Sequence, residues 1–451
     1  MSPTAHQSNG DRWDVLVAGG GPAGSSVATM LVKRGYRVVL IEKDRHPRFH
    51  IGESLLPHTM ELLRTLGVYD TIAQAGFVPK WGARFMLANG DKLNTFYFAD
   101  GLVRSEPGAF QVLRSRFDHL LLEHARQTGT EVREGHTVRE VTLPGSGGSG
   151  GAGGAEREIS DGVRAVIRDE HGGTYELRAR FFADATGRDA FLATRSRTRN
   201  LDPVLRHVAL YAHFEGVQRD EGRDSGNTIS IPIRGGWIWF IPLEEGITSI
   251  GVVIDAQMFK SSGASQEEFF EHVLAQVPVI SSRMAQARRR SVVHSANDFS
   301  YTTPGLYGDG FIVLGDAGFF LDPIFSSGVH LAISSGIYGS EAIDVVLSGT
   351  SGGRRRNALR QYERRLQASQ RLYFRFIHGW YSPGFLEVLL SPTRHFQLVE
   401  AIVSVLAGSA GGSWRVRVRV ELFFLIVWLN QRLHFVPQIE RSQLPPHELT
   451  Q

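Results

Sequence analysis

Cysteine is absent from the 451 residues, which excludes disulfides, thiolate nucleophiles, iron–sulfur clusters and cysteine-based zinc sites. Lysine is scarce, with five (33, 43, 80, 92 and 260) against 44 arginines. An excess of one charge is also missing. The 49 basic and 46 acidic side chains leave a net +3, which does not supply the basic face a nucleic-acid binder needs. The longest apolar run, residues 422–429, has eight residues, far short of the roughly 20 that a membrane span requires. Residues 1–11 are polar and lack the hydrophobic segment of a signal peptide, so a cytoplasmic location is expected. His46/His50 and His119/His124 have no convincing metal-ligand spacing, and no metal is expected.

What is present is ordinary for a globular protein: 42% apolar and 21% charged residues, in a chain long enough for two or three lobes. Residues 13–18 (WDVLVA) form an apolar run, followed at once by a glycine-rich turn at 19–24, an amphipathic stretch to Arg34, Gly35 as a cap, and a second β-branched run at 37–41. That is a strand, turn, helix, strand unit, which requires a parallel sheet with a right-handed crossover. Helical spacing returns at 113–128, and strand patterns at 131–143 and 163–168 flank a glycine–serine insert at 145–155 that suits a flexible hairpin tip. Four alternating segments between 208 and 255 indicate a largely antiparallel sheet. An apolar strand near 311 leads to a long helix at 329–347, and 359–433 is mostly helical, broken at Pro383 and Pro392.

Gly19, Gly21 and Gly24 satisfy G-x-G-x-x-G in the strand-to-helix setting that gives the motif meaning, around Pro22 and Ala23. The first glycine allows the turn, the second a close approach of the backbone to a pyrophosphate, and the third helix-on-strand packing. Glu42, followed by Lys43, closes the next strand 21 residues past Gly21, where a carboxylate accepts from a ribose hydroxyl. Motif and spacing alone do not choose FAD over NAD. Asp184 and Asp316, each at a turn after a strand pattern, favour FAD as candidate contacts.

These pieces together resemble the flavoprotein monooxygenase superfamily and, within it, the flavin-dependent halogenases. Residues 237–242 (WIWFIP) match the family's W-x-W-x-I-P signature, 320–328 (FLDPIFSSG) match F-x-x-P-x-x-S-x-G, and Lys80 in GFVPKWGARF stands where the family's catalytic lysine is expected. The resemblance spans about residues 13–406 and also covers 52–54 and 111–118, through Ser54 and Arg114. It implies an α/β fold in which a Rossmann-like FAD-binding domain of aromatic-hydroxylase type carries an inserted, largely antiparallel substrate sheet and a helical C-terminal region. The expected segments are 1–80, 113–205 and 301–350 for the FAD domain, 81–112 and 206–300 for the substrate domain, and 351–451 for the helical part.

The implied activity uses reduced FAD, oxygen and chloride or bromide to make hypohalous acid, which passes to Lys80 for electrophilic halogenation of an electron-rich aromatic in secondary metabolism. FAD contacts would include Gly328 and Val329, and the halide would sit at Ser327 and Gly328. Trp237, Trp239, Ile241, Pro242 and Phe325 would form the wall between flavin and substrate. Lysine suits that role, because an amine in an apolar pocket can lose its proton whereas a guanidinium does not. Tryptophan halogenases carry a glutamate where this chain has Phe325, so the resemblance points to phenols or pyrroles, free or tethered to a carrier protein. Without a second glycine fingerprint, a separate flavin reductase is the expected partner. The arginine runs at 288–290, 354–356 and 415–419 read as solvated faces, with docking of an acidic carrier protein or its phosphopantetheine as the alternative. The alternative on the same scaffold is an aromatic hydroxylase or an alkene reductase.

Overall fold

The computed structural model describes residues 12–103, 106–144, 162–297, 300–382, 384–391, 396–409 and 413–439. The expected hairpin tip at 145–155, the N-terminal segment 1–11, and Pro383 and Pro392 lie outside them.

The first sheet is built around the run that precedes the glycine turn. Strand Trp13–Ala18 pairs in parallel with Val38–Glu42 on one side and Thr174–Asp184 on the other, and the ladder continues to Glu131–Glu134 and Phe311–Val313. Every residue of Val38–Glu42 is buried, as a strand covered on both faces must be. Helix Pro22–Val32 lies directly after the turn and packs on the long helix Gly328–Leu347. One expected strand is two: Gly135, at φ +75, separates Glu131–Glu134 from Thr137–Thr142.

In the second sheet His207–Glu215, Ile247–Asp255, Gly236–Pro242 and Thr228–Ile233 pair antiparallel in that order. Gly82–Met86 then joins parallel to Thr228–Ile233, with Lys92–Tyr97 at the edge. Side chains alternate between its faces. Leu210, Ile238, Phe240, Val252 and Ile254 pack with helix Gln266–Gln276. Ala209, Tyr211, Trp237, Trp239 and Ile241 belong to the core shared with the first sheet. Both faces are covered, which explains why GWIWFIP has no polar alternation. The C-terminal region is helical, with Gly352–Tyr381, Leu398–Leu406 and Trp414–Leu433 as its longest elements. The run 422–429 falls on the last of these and is only half buried, Leu425 and Trp428 being 51% and 45% exposed. Among the described residues no helix is long and apolar enough to cross a membrane.

Candidate active site

Between the glycine turn and the tryptophan face of the second sheet lies a cavity of about 470 Å³, well within the range of small-molecule and cofactor sites. Gly19, Gly21, Pro22, Ala23, Glu42, Lys43, Ser54, Arg114, Trp237, Trp239, Ile241, Asp316, Gly328 and Val329 all line it. Gly24, Lys80, Asp184, Pro242, Phe325 and Ser327 are not among its lining residues.

The glycines divide by task. A Cβ on Gly24 would lie 1.9 Å from the carbonyl oxygen of Gly19, and one on Gly19, at φ +105, would lie 2.2 Å from that of Ala185. Those two close the helix onto the sheet. A Cβ on Gly21 would meet only Arg48, at 3.6 Å, and one on Gly328 would meet nothing within 4 Å. The turn and the N-terminus of the 20-residue helix therefore leave open room at the cavity, with exposed backbone donors suited to an anion. Glu42, 4% exposed, accepts from the amides of Gly20 (2.5 Å) and Asp44 (2.9 Å). Each carboxylate oxygen keeps a lone pair for a further donor. This cradle fits FAD: the turn offers backbone donors that a pyrophosphate would need, and Glu42 offers an acceptor that a ribose hydroxyl would need.

Arg114 holds the loop that forms the next part of the wall. Its guanidinium grips Asp118 through two hydrogen bonds of 2.7 and 2.9 Å and donates to the carbonyl of Ile51 at 2.6 Å. Burial pulls the guanidinium down, but Asp118 outweighs it and holds the group above its ordinary value. Asp316, at the cavity wall, is pushed up to about 7 by burial, against the pull of Arg114 and Arg188.

Lys80 ends the short strand Val78–Lys80 and is 2% exposed. Its Nζ donates to the Ser54 hydroxyl at 2.7 Å and the Leu55 carbonyl at 3.1 Å, and lies 5.2 Å from the centre of the Phe98 ring. Burial lowers its basicity to about 7. Ser54, which contacts Thr228 at 3.1 Å, stands between this amine and the cavity. The two indoles sit on one sheet face, 5.8 Å apart. Trp239 donates to Ser249 at 3.1 Å, and its ring lies over Gly251, where a Cβ would come within 2.1 Å. Trp237 donates to the Tyr381 hydroxyl (3.0 Å), which donates to Asp322 (2.7 Å).

Several expectations are placed differently. Phe325 faces away from the cavity and packs edge-on against Phe376 and Trp380 of the C-terminal helices. The buried aromatic face of the amphipathic helix Gly352–Tyr381 offers it a better partner than a polar site does. Asp184 spends both oxygens locally, on Thr186 and on the Leu192 amide. Ser327 caps the long helix by position, yet its side chain makes no capping bond. Residues that sequence reasoning passed over are Glu53, His213, Gly251, Asp322 and Tyr381. Gly251 was the most accessible of them, since a lone glycine in a strand marks a close approach.

Known proteins bear on this geometry. A family model for an FAD-binding domain matches residues 12–373. Flavin-dependent halogenases of Penicillium aethiopicum and Armillaria mellea are 35% and 34% identical over 348 and 357 residues; each match covers 74% of this chain and 65% and 68% of those proteins. The chain thus spans a little under two thirds of the first. A 1H-pyrrole-2-carbonyl-[peptidyl-carrier protein] chlorinase of Pseudomonas fluorescens is 29% identical over 428 residues, 90% of this chain and 91% of that one. Among solved structures, a flavin-dependent brominase superposes with a TM-score of 0.79 at 26% identity, covering 94% of this chain and 100% of its own. A flavoprotein/dehydrogenase of Cytophaga hutchinsonii gives 0.81 at 28%, covering 93% and 99%. With the cradle, the paired indoles and the buried lysine in place, the chain belongs to the flavin-dependent halogenases, FAD-using oxidoreductases.

Proposed function

We propose that this chain installs chloride or bromide on an electron-rich aromatic, phenolic or pyrrolic, presented free or on a carrier protein. The observation that supports it most directly is the amine of Lys80, buried with no carboxylate partner among the described residues and one serine away from the cofactor cavity. Bound FAD, delivered reduced by a separate reductase, supplies the two electrons that let oxygen convert halide to hypohalous acid. Gly19, Gly21, Glu42 and Arg114 bind and orient it, with Val329 and Asp316 along the same wall. The halide is held at the start of the long helix, by Gly328 and the backbone of Ser327, where the helix dipole favours an anion. Trp237 and Trp239 keep the aromatic substrate off the cofactor.

Neutral Lys80 attacks hypohalous acid: an N–X bond forms, the O–X bond breaks, and water leaves. The ring then takes the halogen, the N–X bond breaks, and the ring proton passes to the amine. In the alternative, protonated Lys80 only holds hypohalous acid by a hydrogen bond. Phe325, packed away from the cavity, brings no carboxylate to polarise a weakly activated ring, which favours phenols and pyrroles that donate electrons themselves. A pyrrole on a peptidyl carrier is the substrate named for the Pseudomonas relative.

The test is intact-product mass with a reductase, halide and a panel of free and carrier-bound phenols and pyrroles. A chlorine or bromine isotope pattern that disappears in Lys80→Ala supports the reading. Hydroxylated product that survives in Lys80→Ala sinks it in favour of a hydroxylase.

A further inference from the structure

The halogenation reading carries a charge requirement. Reduced FAD, oxygen, one halide and one proton give FAD, hypohalous acid and water; the aromatic then exchanges its hydrogen for the halogen with release of a second water. One proton is therefore consumed with every halide, and an anion entering a buried cavity without it would meet a large desolvation cost.

A titratable pair, Glu53 and His213, stands at the cavity. Glu53 lines the cavity and is 1% exposed. Its Oε1 lies 2.6 Å from Nε2 of His213, while among the described residues Oε2 is buried without a hydrogen-bond partner. The position is held by the backbone, since the Glu53 carbonyl accepts from the Val112 amide at 2.7 Å. On strand His207–Glu215, Ala209, Tyr211 and His213 share one face. The first two line the cavity, and His213 lies beyond them. Phe49 meets the His213 ring edge-on at 5.5 Å, stacks on His294 at 4.1 Å, and is 42% exposed.

We propose that the Glu53–His213 pair is the proton store of this cavity, taking up one proton as halide enters and releasing it when hypohalous acid and water form. Protonation of the vacant Oε2 leaves a net positive pair that balances the halide. The groups that face it are His294 and Tyr211 from the second sheet, Arg114 from helix Arg114–Thr128, Glu244 after the tryptophan strand, and Lys80 through Ser54. Burial opposes the charge on His213, and Glu53 more than restores it, so the imidazole sits above its ordinary value. The bland alternative is a strut that ties residues 49–56 to the second sheet.

The experiment is calorimetric titration of bromide into the FAD-loaded protein, in buffers of different ionisation heat and across pH 6 to 9, with FAD retention followed by flavin fluorescence. Linkage requires bromide affinity to fall by up to tenfold per pH unit once the pair has lost its extra proton. Proton uptake should approach one per bromide. Glu53→Gln should flatten the pH dependence and abolish uptake, and Glu53→Asp should restore both. His213→Asn takes the second titratable group out of the pair and should move the pH at which the slope begins; this arm serves if Glu53→Gln fails to keep FAD. A slope that survives Glu53→Gln, an onset unmoved in His213→Asn, or bromide taken up without protons by the wild type overturns the proposal. Halogenated product alongside pH-independent bromide binding sinks the pair alone. Absence of both product and bromide binding sinks the halogenation reading, and the pair with it.

Discussion

Two cations are buried against the same short loop, and they differ in one respect. Arg114 donates to Ile51, and Lys80 to Ser54 and Leu55. Arg114 has Asp118 clamped to it and stays charged, whereas among the described residues Lys80 bonds only a hydroxyl and a carbonyl, and burial brings its basicity down to about 7. A partner carboxylate turns a buried cation into a fixed strut. Its absence turns one into a group that can exchange its proton at neutral pH.

The strongest way to break the contrast is to remove the exchangeable amine. Lys80→Met is expected to lower halogenated product by about 10²–10⁴-fold, the range typical of a lost proton-handling group, while the flavin still binds; product analysis with a fluorescence titration of FAD checks both. Next in size is Asp118→Ala, which leaves the Arg114 guanidinium buried and unpaired. Such a change costs about 3–5 kcal/mol, to be measured by denaturant unfolding, and FAD affinity should fall with it.

The third prediction concerns pH. Lys80 has its folded-state basicity below its unfolded value, so the folded chain binds fewer protons between about pH 7 and the ordinary lysine range. The penalty of burying this side chain is therefore full below about pH 7 and shrinks as pH rises. Lys80→Met should melt above the wild type at pH 6, with the gap narrowing by pH 9. If the neutral amine is the attacking form, wild-type product formation should rise through the same region; a flat profile favours the protonated, hydrogen-bonding role. The smallest effect is expected at the indole wall. In Gly251→Ala the new methyl group meets the Trp239 ring and should cost about 1–3 kcal/mol, with more hydrogen peroxide released per flavin oxidised.

Much of the nucleotide half was legible from the chain because its determinants are local. The glycine turn, the helix after it and Glu42 lie within about thirty residues, and each follows from backbone geometry. The strands of the second sheet were legible from their apolar runs, and Trp237 and Trp239 share a face because strand side chains alternate. Phe325, Asp184 and Ser327 were harder, since the chain does not reveal which neighbour a side chain will choose. Phe325 found Phe376 and Trp380, about fifty residues on, and Asp184 found the amide of Leu192. Glu53 and His213 are 160 residues apart, and no spacing rule joins them.

The sequence by itself determined the chemistry on offer: a dinucleotide turn, a rigid aromatic pair, a chain almost without lysine, and Arg114 with Asp118 one helical turn away, where such pairs meet. Only the tertiary structure decided the proton state of each group. Whether a cation keeps its proton depends on the water removed and the charges brought near it. For Lys80 those neighbours are Ser54, Leu55 and Phe98, which come from other elements of the fold.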